Sequence, residues 1–524
     1  MLDMFLAQAP AAPLEVPSVD YAAVLPMLIV FGVACIGVLV EAFAPKATRW
    51  GIQVTISLVA IIAAGVSLIL YATGSSSSKA GTTTFSGSIS VDRPSLFLWG
   101  TLLLLGLGAV FLIADRKVEA GGAFVAQAAI RPGTVQDRAQ SATTSQTEVF
   151  PLTLFALGGM MTFCAANDLL TMFIALEVLS LPLYLMCGLA RRRRLISQEA
   201  AVKYFLLGAF SSAFFLYGLA LLYGYADSVK LADIAHAAAG SDRSDTLLFA
   251  GLGLLVVGLL FKGSVGPFHT WTPDVYQGAP TPVTGFMAAC TKVAAFGAIL
   301  RVLSVGFSST SWEWRGVMWA VAIISMALGA ILGLTQTDVK RMIAYSSVAH
   351  AGFLLVGAIA MTEDGLSSTL FYLLAYGFTT LAAFGVVSLV RDSSGEATHL
   401  SAWAGLAKRS PLLAGVFTFL LLALAGIPLT SGFVGKFVVF SAALSDGMAP
   451  LVVVALVFSA VAAFFYLRVI VLMYFSEPAA DGPTVTVPGG FTTAAIALGV
   501  VVTLVLGVLP AFALDWAGAG GFAS

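Results

Sequence analysis

The sequence predicts an all-α, polytopic membrane protein of about 14 transmembrane helices, with two inverted five-helix repeats, each with a broken helix. Three observations carry that expectation. Of 524 residues, 59% are hydrophobic and 10% charged, and the mean hydropathy is +0.97; a soluble core of this size cannot bury so much apolar surface. Uncharged runs recur at 21–40, 51–72, 247–261, 316–337, 411–435 and 451–467, each near the ~20 residues a helix needs to cross ~30 Å of hydrocarbon. Basic residues, finally, are shared unequally between alternate loops.

Spans are expected near 21–43, 51–72, 95–114, 149–166, 169–190, 199–225, 246–265, 281–305, 315–335, 342–361, 366–390, 411–444, 450–475 and 489–514. In that register one set of loops holds fifteen Lys and Arg residues: Lys46, Arg49, Arg116, Lys117, Arg131, Arg138, Arg191 to Arg194, Lys340, Arg341, Arg391, Lys408 and Arg409. The opposite set holds five: Lys79, Arg93, Lys230, Arg243 and Arg315. The richer set belongs on the cytoplasmic side, and an even span count puts both termini outside. Trp50, Trp99, Trp312, Trp314 and Trp516 fall at span ends, where an aromatic belt belongs.

Segment 1–20 has no Lys or Arg, so it reads as an external lead-in rather than a signal peptide. Segment 73–93 reads as an external Ser/Thr/Gly connector and 115–148 as a longer cytoplasmic one, neither with chemistry. Cys35, Cys164, Cys187 and Cys290 are scattered singly inside spans, without metal or disulfide spacing. No dinucleotide, P-loop or haem motif occurs. No redox cofactor is expected on this chain.

The chemistry lies in charges at bilayer depth. Lys203, Lys262, Lys292 and Lys436, with Glu177 and His350, sit inside stretches otherwise made of Leu, Val, Ala, Phe and Gly. A buried charge there costs a few kcal/mol, so such residues usually mark an ion or substrate path. Two of the lysines adjoin interruptions. Gly263, Gly266 and Pro267 follow Lys262, and Gly426, Pro428, Gly432 and Gly435 crowd the approach to Lys436. Irregular backbone at membrane depth survives where it is buried or lines a watery cavity. Paired interruptions in two halves point to an inverted-repeat transporter site. The halves are 149–305 and 315–475, five spans each, and an odd count turns consecutive units in opposite directions. Residues 1–148 form a three-helix lead-in with loops, and 476–524 a last span.

These residues are also where the chain resembles a known family, the antiporter-like membrane subunits of respiratory complex I. The specific stretch is KGSVGPFHTWTPDVYQGAPTPVTGFMAACTKVAAFGAILR at 262–301. It is supported by NDLLTMFIALEVLSLPLYLM at 167–186, EAAVKYFLLGAFSSA at 199–213, QTDVKRMIAYSSVAHAGF at 336–353 and AGIPLTSGFVGKF at 425–437. The resemblance covers roughly 149–475. It is nearest the branch that lacks a lateral amphipathic helix after the last span and has lysine, not glutamate, at 436.

The resemblance implies a proton-translocating subunit of the membrane arm of NADH:quinone oxidoreductase, with Glu177 paired to Lys262, Lys292 linking two half-channels and Lys436 leading outwards. Flavin, iron–sulfur clusters and quinone are then expected on partner subunits, and antiporter-like subunits and the lipid bilayer as neighbours, in a bacterial inner or plasma membrane; no nucleic acid is expected. The alternative is a subunit of a multi-subunit Na+/H+ antiporter or of a related membrane-bound hydrogenase complex.

Each residue also has a plainer reading. Glu177 and Lys262 could be a static ion pair holding helices together. Lys203, nine residues beyond Arg194, could extend its amine to the cytoplasmic interface. His350 either relays protons between Lys292 and Lys436 or is a hydrogen-bonded core histidine. His269 either gates cytoplasmic access, with Asp274 near the interface, or caps the broken helix.

Overall fold

The computed structural model describes residues 19–74, 81–119, 121–124, 134–135, 146–240, 244–392, 395–478 and 482–523. Lead-in residues 1–18, and Lys79, Arg131, Arg138 and Arg243 of the charge count, lie outside the described residues.

Three helices lead in: α1 (Tyr21–Phe43), α2 (Lys46–Thr73) and α3 (Arg93–Ala114). There follow α4 (Val149–Ala165), α5 (Leu169–Cys187), α6 (Arg194–Ala226), the short α7 (Leu231–Gly240), α8 (Thr246–Lys262), α9 (Trp271–Gly278) and α10 (Thr281–Gly306), the last containing π-turns at Met287–Thr291 and Val302–Gly306. The second half holds α11 (Ser311–Thr335), α12 (Val339–Ile359), α13 (Glu363–Val387), α14 (Pro411–Ala425), α15 (Ser431–Ser445) and α16 (Ala449–Phe475). The chain closes with α17 (Gly490–Val508) and α18 (Ala511–Ala517).

Among the described residues, 11 helices are long and apolar enough to cross a membrane. Adding the shorter α4, the α8–α9 pair and the α14–α15 pair, each pair counted once, accounts for the fourteen spans. Both interruptions fall at the fourth span of their half. In the first, α8 stops at Lys262 and the chain turns through Ser264 at φ 59. In the second, α14 stops at Gly426, φ 86, a left-handed conformation that suits glycine. Lys262 comes just before its break and Lys436 just after.

The halves share a second device. Asp168 caps α5 and accepts from Thr171 N, while Leu169 N donates to Val229 O and Leu231 N to Asn167 O. Asp338 caps α12 and accepts from Arg341 N, while Val339 N donates to Thr398 O and Leu400 N to Thr337 O. The same cap and two-bond bridge therefore recur on the second helix of each half. Side-chain capping also satisfies helix N–H groups that have no intrahelical acceptor.

Burial separates the helices by role. The apolar windows of α10 and α13 are buried along their whole length and that of α12 almost so, whereas α1, α2, α6, α11, α16 and α17 keep most of theirs outward-facing. The three central helices carry Lys292, His350 and a set of tyrosines.

Two expectations change. Segment 73–93 is not merely a connector: Thr82–Thr84 and Ile89–Val91 pair as an antiparallel hairpin, as their β-branched residues favour. Span six begins at Arg194 rather than 199, and Arg191 and Arg194, counted above among the cytoplasmic loop charges, are buried at the helix entrance.

Candidate functional site

The breaks and the central helices put three amines deep in the protein. Lys262, the last residue of α8, is 3% exposed. Its Nζ donates to Ser180 Oγ on α5 at 2.7 Å and to Tyr204 Oη on α6 at 3.0 Å. The rings of Tyr204 and Tyr184 stand 5.1 and 5.8 Å from the amine. Those distances suit attraction between a cation and an aromatic face.

Lys292 on α10 directly follows the π-turn Met287–Thr291, a distortion often found at functional positions. Its Nζ donates to Ser347 O of α12 at 2.8 Å and to Gly263 O at 3.2 Å. Gly263 is the residue after Lys262, so the interrupted helix supplies the carbonyl that receives the second amine. Lys436 on α15 uses the other break in the same way. Its Nζ donates to Ala425 O at 2.9 Å, Leu424 O at 3.2 Å and Ser459 Oγ at 3.0 Å. Phe353 lies 5.0 Å beneath the amine.

His350 on α12 sits between these lysines. Its Nδ1 is 2.7 Å from Tyr372 Oη and its Nε2 3.3 Å from Tyr466 Oη; Tyr466 in turn bonds Ser346. Among the described residues, no carboxylate lies within 4.0 Å of Lys262, Lys292 or Lys436. Neutral carbonyls and hydroxyls alone solvate these amines. A buried charge without a paired ion is costly, so each lysine can exchange a proton without breaking a salt bridge.

Other expected residues sit elsewhere. Glu177 does not touch Lys262: its carboxylate accepts from Ser212 Oγ at 2.5 Å, half-buried between α5 and α6, and one helical turn separates it from Ser180, which does touch Lys262. Lys203 is not in the buried line. Its side chain is 41% exposed and pairs with Glu199 and Asp274, each at 2.6 Å. Asp274 also receives Arg341 at 2.5 Å, so it anchors a surface ion cluster. His269 is buried beside the first break, its ring near the backbone of Pro267, with no hydrogen bond of ordinary geometry to Nδ1 and Tyr345 edge-on at 6.0 Å.

The structure also adds residues the sequence reading passed over. Tyr204, Tyr372 and Tyr466 supply hydroxyls to the line, yet on the sequence they look like ordinary core aromatics. Lys340, taken as a loop charge, is 1% exposed. Arg301, on α10, forms a fully buried pair with Asp92: one guanidinium nitrogen reaches the two carboxylate oxygens at 2.8 and 3.0 Å. Ser95 Oγ, Cys164 O and the ring of Phe522 complete that cage.

Residues 166–476 match the family model described as NADH:quinone oxidoreductase/Mrp antiporter, TM. The chain is similar to NADH-quinone oxidoreductase subunit N of Saccharopolyspora erythraea, with 76% identity over 514 residues covering 97% of this chain and 99% of the relative. It is 59% identical to the protein of the same name from Acidothermus cellulolyticus, covering 98% of each. Among solved structures, a chain of respiratory complex I from Thermus thermophilus with bound aureothin superposes with TM-score 0.75 and 34% identity, covering 95% of this chain and all of that one. A chain of the Mrp complex from a Dietzia species superposes with TM-score 0.80 at 22% identity, covering 95% and 96%, a likeness of fold.

Proposed function

The chain belongs to the NADH:quinone oxidoreductase and Mrp antiporter transmembrane family, and from that premise we propose that it is a proton-translocating membrane-arm subunit of NADH:quinone oxidoreductase, of the subunit N type. The observation that carries this reading is 76% identity along nearly the whole of both chains to a subunit so named. The likeness to an Mrp complex is one of fold, so the antiporter reading gains no comparable support.

In this reading protons pass along Lys262, Lys292, His350 and Lys436. The support is geometric: the Lys292 amine is held by the carbonyl of Gly263, the residue after Lys262, and His350 lies among hydroxyls between the second amine and the third. Glu177, one helical turn from the Ser180 that holds Lys262, biases the charge on that amine through space. The two five-helix halves form an inverted repeat, supported by the matching caps at Asp168 and Asp338 and by breaks with lysine on opposite sides. Fifteen basic residues against five favour both termini on the external side of a bacterial plasma membrane.

Moving one elementary charge against 100 mV costs about 2.3 kcal/mol. Flavin, iron–sulfur clusters and quinone belong to partner subunits in this scheme, and antiporter-like neighbours relay the drive. The test is Lys262→Ala in the assembled oxidoreductase, read as proton uptake by inverted membrane vesicles during NADH oxidation. Lost or strongly reduced uptake is expected. Full uptake at an unchanged oxidation rate would overturn the proposal.

A further inference from the structure

Lys340, like Arg191, Arg194 and Arg301, is a basic residue that the fold draws out of solvent without assigning it to the amine line. It begins the buried α12, and its Nζ donates to Ala279 O at 2.8 Å and Thr281 Oγ1 at 3.0 Å, with Glu396 Oε2 at 3.5 Å. Thr281 donates onward to the same carboxylate oxygen at 2.5 Å. Beside them is a cavity of about 30 Å³ lined in part by Glu119, Arg191, Arg193, Arg391, Lys340 and Glu396, roughly the space of one or two water molecules. Glu396 is 18% exposed while Lys340 is 1% exposed, so the carboxylate faces the cavity and the amine lies behind it.

From there the polar path leads inwards. Ser347 is seven residues further along α12, two turns up the same face and about 10 Å along the axis, and its carbonyl holds the Lys292 amine. The Ser347 hydroxyl has no hydrogen bond of ordinary geometry, nor has Tyr376 Oη, although both are buried. The hydroxyls of Tyr276 and Tyr376 stand beside Ser347. Buried hydroxyls in that condition are ordinarily satisfied by bridging water. Hydroxyls therefore stand at both ends of the stretch between the two lysines, Thr281 at Lys340 and Ser347, Tyr276 and Tyr376 near Lys292.

We propose that Lys340, held by Thr281 and Glu396, is the loading site that supplies protons to Lys292 from the cytoplasmic side. The inference rests on the proton-carrying role and orientation proposed above. In the step itself, an N–H bond of the Lys340 ammonium breaks and one forms on the neutral Lys292 amine, by way of Ser347, Tyr276 and intervening water. Lys340 then recovers a proton from cytoplasmic water through Glu396. The charges facing Lys340 are Glu396, Asp338 and Arg193. The surface cluster of Lys203, Glu199, Asp274 and Arg341 reaches Asp338 through Gln277, and its Asp274 carboxylate is already shared by two cations.

The test uses the whole oxidoreductase in inverted vesicles, comparing Lys340→Met, Lys340→Arg, Glu396→Gln and Lys292→Met across neutral and alkaline pH. Lys408→Ala, at an exposed pair with Glu477, serves as control. Lys340→Arg keeps charge and donors but does not release a proton in this range. Its NADH-linked pumping is expected to fall below about a tenth of wild type. Glu396→Gln is expected to pump at neutral pH, with the alkaline limb of the profile moved to lower pH because the ammonium has lost its neighbouring anion. Wild-type pumping and pH profile in Lys340→Arg would overturn the proposal by showing a structural role. Should Lys340→Met fail to assemble, Lys340→Arg and Glu396→Gln still decide. If Lys292→Met blocks pumping while Lys340→Arg does not, only the loading role fails; if neither blocks it, the amine line fails as well.

Discussion

Each buried lysine is held by acceptors that a helix break or a neighbouring hydroxyl provides. Gly426 illustrates how narrow the fit is. Its φ is +86°, and a Cβ there would lie 3.0 Å from Lys436 Cδ and 3.2 Å from its amine. Gly426→Ala combines about 1–2 kcal/mol of left-handed strain with a displaced amine. Reduced proton uptake and a lower thermal midpoint of the assembled complex are expected, both measurable on the same preparation. Tyr204→Phe deletes one of two side-chain acceptors of Lys262. A hydrogen bond to a charged group contributes roughly 1.5–3 kcal/mol, so pumping at limiting NADH is expected to slow while assembly persists. The candidate lysines were legible in the sequence because Lys262, Lys292 and Lys436 interrupt apolar runs. Their partners were not. A tyrosine inside a span looks the same whether its hydroxyl faces a lysine or a carbonyl, and Lys340 looks like a loop charge until folding buries it.

Among the helices, interruption and capping decide where charge is stored. The breaks at 263–270 and 426–430 were visible as clusters of Gly and Pro, and the fourteen spans as hydropathy. The cap-and-bridge device at Asp168 and Asp338 was less visible, because its partners at 229–231 and 398–400 lie about sixty residues away. The Asp92–Arg301 pair was hidden for the same reason, being formed across two hundred residues. It ties the start of α3 to the end of α10 with side chains 1% and 0% exposed. Asp92→Ala leaves a buried guanidinium without its anion, a loss of about 3–5 kcal/mol. The expected result is poor assembly or a clearly lowered thermal midpoint that added salt does not restore. An Asp92→Ala complex of wild-type stability would show that the pair is dispensable.

Taken as a whole, the molecule is a shell of outward-facing apolar helices around three buried ones, and the buried three carry Lys292, His350 and Tyr372 while flanking helices supply Lys262 and Lys436. Hydropathy and spacing conveyed the shell, the span count and the principal lysines. Which lysines share one interior line required the fold, since Lys203 proves to be a half-exposed partner of Asp274 while Lys340 is enclosed. Lys292 stands at the centre of that line, bonded to the first break through Gly263 and to α12 through Ser347. The decisive measurement is the rate of proton uptake during NADH oxidation by vesicles containing Lys292→Met in the fully assembled oxidoreductase. Transfer through buried amines predicts that uptake collapses, with oxidation slowed alongside it. Wild-type uptake at a wild-type oxidation rate would contradict that transfer.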